Sequence, residues 1–242
     1  MKLETNQQRR RHGESPAAFE ARVHAAARRV ETPCGDGRMI WHVWGDDERP
    51  PLVLLHGGFG SWRHWILNVL PLSEKYRVIA ADLPGLGDSD PIGEEYTAEN
   101  IAATVSAGVD LIAPPPGRFH IAGFSFGGII GGHVSAIQGS RVHSFTAVAA
   151  GGLGLRNAKF PELESMSAAA TPEALTEIHR TNLSRLMFSN PDRIDDLAIH
   201  VQTETVRRAR VRSGKIPWTG TLTNALKRID TTLAGIWGEN DV

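Results

Sequence analysis

One stretch limits what this chain can fold into more than any other: Arg118-Phe119-His120-Ile121-Ala122-Gly123-Phe124-Ser125-Phe126-Gly127-Gly128-Ile129-Ile130. Its first half is short, apolar and rich in strand-forming residues, and Gly117 marks where it begins. Its second half runs on through Gly131-Gly132-His133-Val134-Ser135-Ala136-Ile137, small residues that suit a tightly packed helix. At the join stands Gly123-x-Ser125-x-Gly127, the spacing of a serine carried on a sharp strand-to-helix turn. Such a turn strains the serine backbone, and only residues without bulk on either side let strand and helix approach closely. It lifts the hydroxyl clear of the sheet and aims the first amides of the helix at the same spot. Positive potential at a helix start, together with free N–H donors, favours an oxyanion there.

At 242 residues the chain suits one α/β domain, or one with an insertion, and can bury a sizeable core. The 26 Lys+Arg against 27 Asp+Glu leave the charge nearly balanced, which argues against a dedicated binder of nucleic acid or anionic membrane. The basic run Arg9-Arg10-Arg11-His12 reads as a solvated end rather than a phosphate patch. Cys34 stands alone, so an internal disulfide is ruled out and a reducing, cytoplasmic location is expected. Residues 1–8 are polar, with no apolar core of a signal peptide behind them. Nowhere does the sequence approach the ~20 consecutive apolar residues of a membrane span.

Taken in order, Ser15-Pro16 predicts a helix over 17–29, peripheral to the fold, with Phe19, Val23 and Ala26 or Ala27 at helical spacing. The turn Gly35-Asp36-Gly37 leads into an alternating strand over 38–44. Pro50-Pro51 precedes Leu52-Val53-Leu54-Leu55, a continuous apolar strand of the kind buried on both faces of a parallel sheet. It ends in His56-Gly57-Gly58-Phe59-Gly60-Ser61-Trp62, a glycine-rich loop where open α/β sheets place ligands. Neither the Lys-Ser/Thr of a P-loop nor a GxGxxG follows, which speaks against a phosphate cradle. A helix from Trp62 to about Leu70, a strand over 76–81, the loop 82–89 and a Thr97-capped helix to about Leu111 complete the approach to the elbow.

Beyond it, 142–150 reads as the next strand, closed by Gly151-Gly152. The following seventy or so residues turn helical. Thr171-Pro172-Glu173 opens one helix, with Leu175, Ile178, Leu183, Leu186 and Met187 on a face. Asn190-Pro191-Asp192 opens a second, with Ile194, Leu197, Ala198, Val201 and Thr205 inside. Arg207, Arg208, Arg210 and Arg212 before Gly214 read as cations at a helix C-terminus with glycine as its cap; the competing reading is an arginine reaching a substrate carboxylate. Residues 219–229 then form the helix that returns the chain to the sheet.

His56-Gly57-Gly58, then Asp82-x-Pro84-Gly85-x-Gly87-x-Ser89, then Gly123-x-Ser125-x-Gly127-Gly128 together resemble the α/β-hydrolase superfamily, from about Arg38 to the end. The resemblance implies an α/β-hydrolase fold. Its mostly parallel central sheet has helices on both faces, and a helical cap follows the strand after the nucleophile helix; the last strand and helix are absent. It divides the chain into an N-terminal extension (1–30), a core (31–152 and 219–242) and a cap (153–218). It further implies Ser125 as nucleophile, with the amides of Gly58 and Phe126 as oxyanion donors and His56 as a structural residue. The acid is implied after the strand Leu233-Ala234-Gly235-Ile236-Trp237. Gly238-Glu239-Asn240-Asp241 is similar there to the family's Gly-x-x-Asp turn, giving Asp241, with Glu239 as the nearby alternative. In the family the base is a histidine beyond one further strand. The ten histidines, at 12, 24, 42, 56, 64, 120, 133, 143, 179 and 200, all precede Asp241. The expectation is therefore a C-terminally incomplete hydrolase, inactive or weakly active as it stands, with its catalytic histidine past residue 242.

A serine at the elbow separates this chain from similar branches that use aspartate, the haloalkane dehalogenases and epoxide hydrolases. The helical cap and the Trp-Gly-x-x-Asp ending are similar to the carbon–carbon hydrolases of meta-cleavage products. Those carry Asn before the nucleophile, where Phe124 stands here. The expected reaction is acyl-enzyme cleavage of a carboxylic ester or lactone with a small to medium apolar substrate; carbon–carbon hydrolysis and non-catalytic ligand binding are the alternatives. Phe124, Trp62 and Trp65 near the elbow, and Met187, Phe188 and Trp218 from the cap, are the candidate substrate contacts; for the cap trio, holding cap helices together is the competing role. No cofactor or metal is implied, since no His/Cys cluster stands at ligand spacing. The partner is a small-molecule substrate rather than nucleic acid or membrane, and a homodimer stays open.

Overall fold

The computed structural model describes residues 9–154 and 161–241. Residues 1–8 of the N-terminal extension, 155–160 of the expected cap, and Val242 lie outside the described residues. The strands are β1 (Arg28–Cys34), β2 (Gly37–Trp44), β3 (Pro51–Leu55), β4 (Arg77–Ala81), β5 (Phe119–Phe124), β6 (Val142–Val148) and β7 (Thr232–Ile236). They form one sheet in the order β1-β2-β4-β3-β5-β6-β7. β1, β2 and β4 pair antiparallel, and every pairing from β4 through β3, β5 and β6 to β7 is parallel. The helices are α1 (Pro16–Ala25), α2 (Val69–Ser73), α3 (Ala98–Ile112), α4 (Phe126–Gln138), α5 (Pro172–Leu186), α6 (Asp196–Arg208) and α7 (Thr221–Leu226). This is the α/β-hydrolase fold. No helix among the described residues is long and apolar enough to cross a membrane.

The unbroken apolar run of β3 is explained by two cores, one on each face. Val53 and Leu55, with Ile79 and Ala81 of β4, pack with α3 and α4 through Val105, Val109, Phe126 and Ile130. Leu52 and Leu54, with Val78 and Ala80, face the other way, onto Phe19, Val23, Trp44, Trp62 and Leu197. Alternate residues of a strand point to opposite faces, so a strand covered on both sides must be apolar at every position.

That second core corrects the reading of the N-terminal helix as peripheral. Phe19 and Val23 of α1 are fully buried, and the Trp44 indole N–H donates to Val23 O at 2.9 Å. The helix also stops at Ala25, earlier than expected, because the chain turns there into β1. The polar sequence Arg28-Arg29-Val30-Glu31 hides that strand, which is an edge and buries few of its side chains. Thr32 still earns its place by accepting a hydrogen bond from the Trp41 indole. The helix expected from Trp62 is instead a single turn at Trp62–Trp65 followed by the short α2. α6 is capped by Asp195, with Asn190 capping a separate turn at Pro191–Arg193. α6 ends at Arg208 with Ala209 as its cap, so Gly214 is not the terminator that the sequence suggested.

Candidate active site

β5 delivers the chain to Ser125, and α4 begins at the next residue. Ser125 has φ 51° and ψ −116°, a left-handed conformation that strains any residue with a Cβ by about 1–3 kcal/mol. The surroundings hold it there. Its N–H donates to Val148 O at 2.8 Å, and its carbonyl accepts from Gly128 N at 2.9 Å. A Cβ on Gly123 would lie 2.7 Å from Gly128 Cα, and one on Gly127 would lie 2.5 Å from His56 O. Strand, helix and the β3 loop therefore meet backbone to backbone, and glycine is the one residue that permits it.

The loop after β3 lies against the start of α4. A Cβ on Gly58 would sit 4.0 Å from Phe126 Cβ and 3.7 Å from Ser213 Oγ. Phe126 occupies the first position of α4, where backbone N–H groups have no acceptor within the helix. The loop is braced by His56, fully buried, whose Nε2 accepts from Leu83 N at 2.8 Å and whose Nδ1 meets Gly57 O at 2.7 Å. These partners set the tautomer, with the proton on Nδ1. Burial, only partly opposed by Asp82, pushes its pKa down. His64 takes the other side of Gly57, accepting its N–H at Nδ1 over 3.2 Å. Sequence reasoning gave His64 no role; its only signal was nearness to the glycine loop.

Asp82 and Asp88 shape the next loop. The Asp82 carboxylate accepts from Trp62 N at 2.8 Å and Asp88 N at 2.9 Å, and His42 Nε2 lies 3.5 Å away. Burial works against its charge, yet His42, His56 and the Asp88 amide outweigh it and hold its pKa at about 2. His42, Asp82 and Asp88 offer ligand atoms within 4.8 Å of one another, the one such group among the described residues. Both Asp82 oxygens are already bonded to amides and Asp88 is paired with Arg208 at 2.6 Å, so this donor set fits a loop brace better than a metal centre.

A cleft of about 680 Å³ opens beside the elbow, lined by Phe124 and Ala149, by the end of α5 with Met187 and Phe188, and by Gly238, Glu239, Asn240 and Asp241. The structure thus brings Phe124, Met187, Phe188 and Asp241 to one space, with Ser125 directly following Phe124 at the turn. The two tryptophan candidates near the elbow are corrected. Trp62 is fully buried among His24, His42 and Trp44 in the core of the opposite face, and Trp65 packs against the same cluster. Trp218 is 54% exposed and does not line the cleft. The arginines at the end of α6 and just after it act locally. Arg208 pairs with Asp88 and Glu204, Arg207 with Glu204, while Arg210 donates to Gly85 O and Ser89 O. Arg208 and Arg210 bind the helical segment to the 82–89 loop.

Residues 52–241 match the model of the Alpha/beta hydrolase family, and the chain belongs to that family. Over 141 residues it is 35% identical to the dihydrolipoyllysine-residue acetyltransferase component of an acetoin cleaving system from Pseudomonas putida, covering 57% of this chain and 37% of that protein. Over 139 residues it is 30% identical to a pimeloyl-[acyl-carrier protein] methyl ester esterase from Aeromonas hydrophila, covering 57% and 52%. The chain therefore spans between about a third and a half of the length of these curated relatives. Among solved structures, a 2-hydroxy-6-oxo-6-phenylhexa-2,4-dienoate hydrolase from Rhodococcus sp. superposes with a TM-score of 0.66 at 19% identity, over 88% of this chain and 82% of that one. At that identity the likeness is one of fold.

Proposed function

We propose that the protein is a serine hydrolase that cleaves a carboxylic ester or lactone of a small to medium apolar substrate through an acyl-enzyme. The observation that carries this reading is the backbone of Ser125, held at φ 51° between glycines whose places no side chain can take. A fold keeps a serine in that strain when the position of its hydroxyl matters. In this reading Ser125 Oγ attacks the carbonyl carbon, and the amides of Gly58 and Phe126 stabilise the oxyanion that forms. A general base takes the Ser125 proton and passes it to the departing alcohol. It then takes a proton from the water that attacks the acyl-enzyme and returns it to Ser125 Oγ as the carboxylic acid product leaves. Asp241, on the cleft shared with Phe124, is the carboxylate that orients the base. Residues 153–218 serve as the cap, and Phe124, Met187 and Phe188 give the cleft an apolar wall for the acyl or alcohol group. Similarity to a methyl ester esterase supports ester cleavage over carbon–carbon cleavage, as does Phe124 before the serine.

The test uses protein expressed from its own coding sequence, with a fluorophosphonate probe and p-nitrophenyl esters of two to eight carbons. Labelling is expected at Ser125, and Ser125→Ala should abolish it and cut ester turnover by roughly 10⁴-fold or more. Turnover that survives Ser125→Ala would sink the serine mechanism. A folded protein that neither labels nor turns over esters, yet binds them, would be a ligand-binding member of the family. Turnover of a meta-cleavage product with no ester turnover would shift the assignment to carbon–carbon cleavage.

A further inference from the structure

The amide of Gly58 belongs to the peptide unit that joins Gly57 to Gly58, and a trans peptide plane points its N–H opposite its C=O. Whatever holds Gly57 therefore aims Gly58. The Gly57 carbonyl is held by His56 Nδ1 at 2.7 Å and by Gly60 N at 3.1 Å. The Gly57 N–H is held by His64 Nδ1 at 3.2 Å. The same His64 ring stands edge-on to Phe124, 5.6 Å between centroids and 74° between planes, and edge-on to His56 at 6.0 Å. It is wedged under the loop: a Cβ on Gly60 would lie 2.7 Å from its Nδ1. One imidazole thus touches both the loop that offers the Gly58 amide and the residue that precedes Ser125.

Its own base is fixed. The turn Trp62–Trp65 that carries it is tied down on both sides, by Trp62 N to Asp82 and by Arg63 Nε to Glu20 at 2.7 Å. Because Nδ1 accepts, the ring must be neutral with its proton on Nε2. Burial, then the nearby His56, hold its pKa at about 3, so the acceptor persists through the neutral range.

We propose that His64 is a positioning residue of the oxyanion hole: accepting the Gly57 N–H while packing against Phe124, it sets the direction and distance of the Gly58 amide relative to Ser125. This rests on the serine-hydrolase reading above and specifies what holds one of its two donors. Asparagine places an acceptor oxygen near the position of Nδ1, whereas leucine fills the space without one.

The experiment compares wild type, His64→Leu and His64→Asn on one p-nitrophenyl ester, with a boronic acid as oxyanion mimic and Ser125→Ala as control. His64→Leu should lower kcat roughly 10- to 100-fold, short of the loss from deleting a donor outright, with KM within about 2-fold. Boronic-acid affinity should fall in parallel, and His64→Asn should recover most of both losses. A folded His64→Leu with wild-type kcat, or a folded His64→Asn no better than His64→Leu, overturns the proposal. If His64→Leu does not fold, nitrogen-15 spectra of the wild type decide: an Nε2–H tautomer and a Gly57 amide protected from exchange support it, and a fast-exchanging Gly57 amide overturns it. Wild-type turnover that survives in Ser125→Ala defeats the serine reading instead, so the two failures are told apart.

Discussion

The elbow after β5 and the turn after β7 stand at the same carboxyl end of the parallel strands, yet they are held in opposite ways. At the elbow, Gly123, Gly127 and Gly128 are in backbone contact with their neighbours, and Ser125 is bonded through its N–H to Val148 O and through its carbonyl to Gly128 N. All five residues of β7 are exposed, and Leu233, Ile236 and the following Trp237 show apolar surface. Its last residue is joined to the sheet by the bond from Ala149 N to Ile236 O at 2.8 Å, and Asp241 N closes its turn onto Gly238 O at 3.2 Å. The proposed nucleophile and oxyanion donors are thus held by close backbone packing, while the proposed acid rides on the turn after an exposed strand. Damage to the first should appear as lost stability, and damage to the second as lost chemistry alone.

The hardest test of that contrast is Gly123→Ala. The added methyl would meet the backbone of Gly127 and Gly128 rather than a side chain that can swing aside. Overpacking of this kind costs about 3 kcal/mol, toward the top of the usual range. Urea denaturation should show a lower midpoint with an unchanged slope. A variant as stable as wild type would mean that the elbow is looser than its contacts imply.

Much of this rigid half was legible in the sequence because close backbone approach demands glycine, and glycine at fixed spacing is easy to read. The three ordered motifs carried the fold for the same reason. What escaped was set by tertiary direction. Trp62 and Trp65 are adjacent to the glycine loop in sequence, but the turn that carries them sends their rings to the far face of the sheet. His64, between them, points back toward Phe124, and nothing in its neighbours announces that. β1 was hidden because an edge strand can be polar at most positions, leaving no alternation to detect. The capping of α6 by Asp195 was hidden by a stronger Asn-Pro signal five residues earlier.

A second, smaller effect sharpens the contrast through pH. Asp82 anchors the rigid half by accepting the amides of Trp62 and Asp88, and its pKa is held at about 2. Its folded pKa lies below the unfolded value near 4, so the stabilisation is fully present above that value and is lost as pH falls through the folded one. About 2 kcal/mol should disappear between roughly pH 4 and pH 2. Asp82→Asn should start lower and flatten that part of the profile. Equal acid slopes in wild type and variant would show that the carboxylate is not held as its partners suggest.

The smallest effect on stability is expected at the exposed turn. Asp241→Asn replaces one carboxylate oxygen by an amino group on an exposed segment, and such substitutions usually fall within about 0.5 kcal/mol. Turnover by the protein expressed from its own coding sequence should nevertheless fall by roughly 10⁴-fold, because an amide cannot hold the base in its working tautomer. Thermal unfolding and ester turnover on the same samples separate the two quantities. Glu239→Gln is the matched control, since Glu239 lines the same cleft two residues earlier. A large loss of turnover in Glu239→Gln with Asp241→Asn intact would move the acid to Glu239. A drop in stability for Asp241→Asn comparable with that of Gly123→Ala would erase the distinction between a tightly packed elbow and a peripheral turn, because both would then be parts of one cooperative frame.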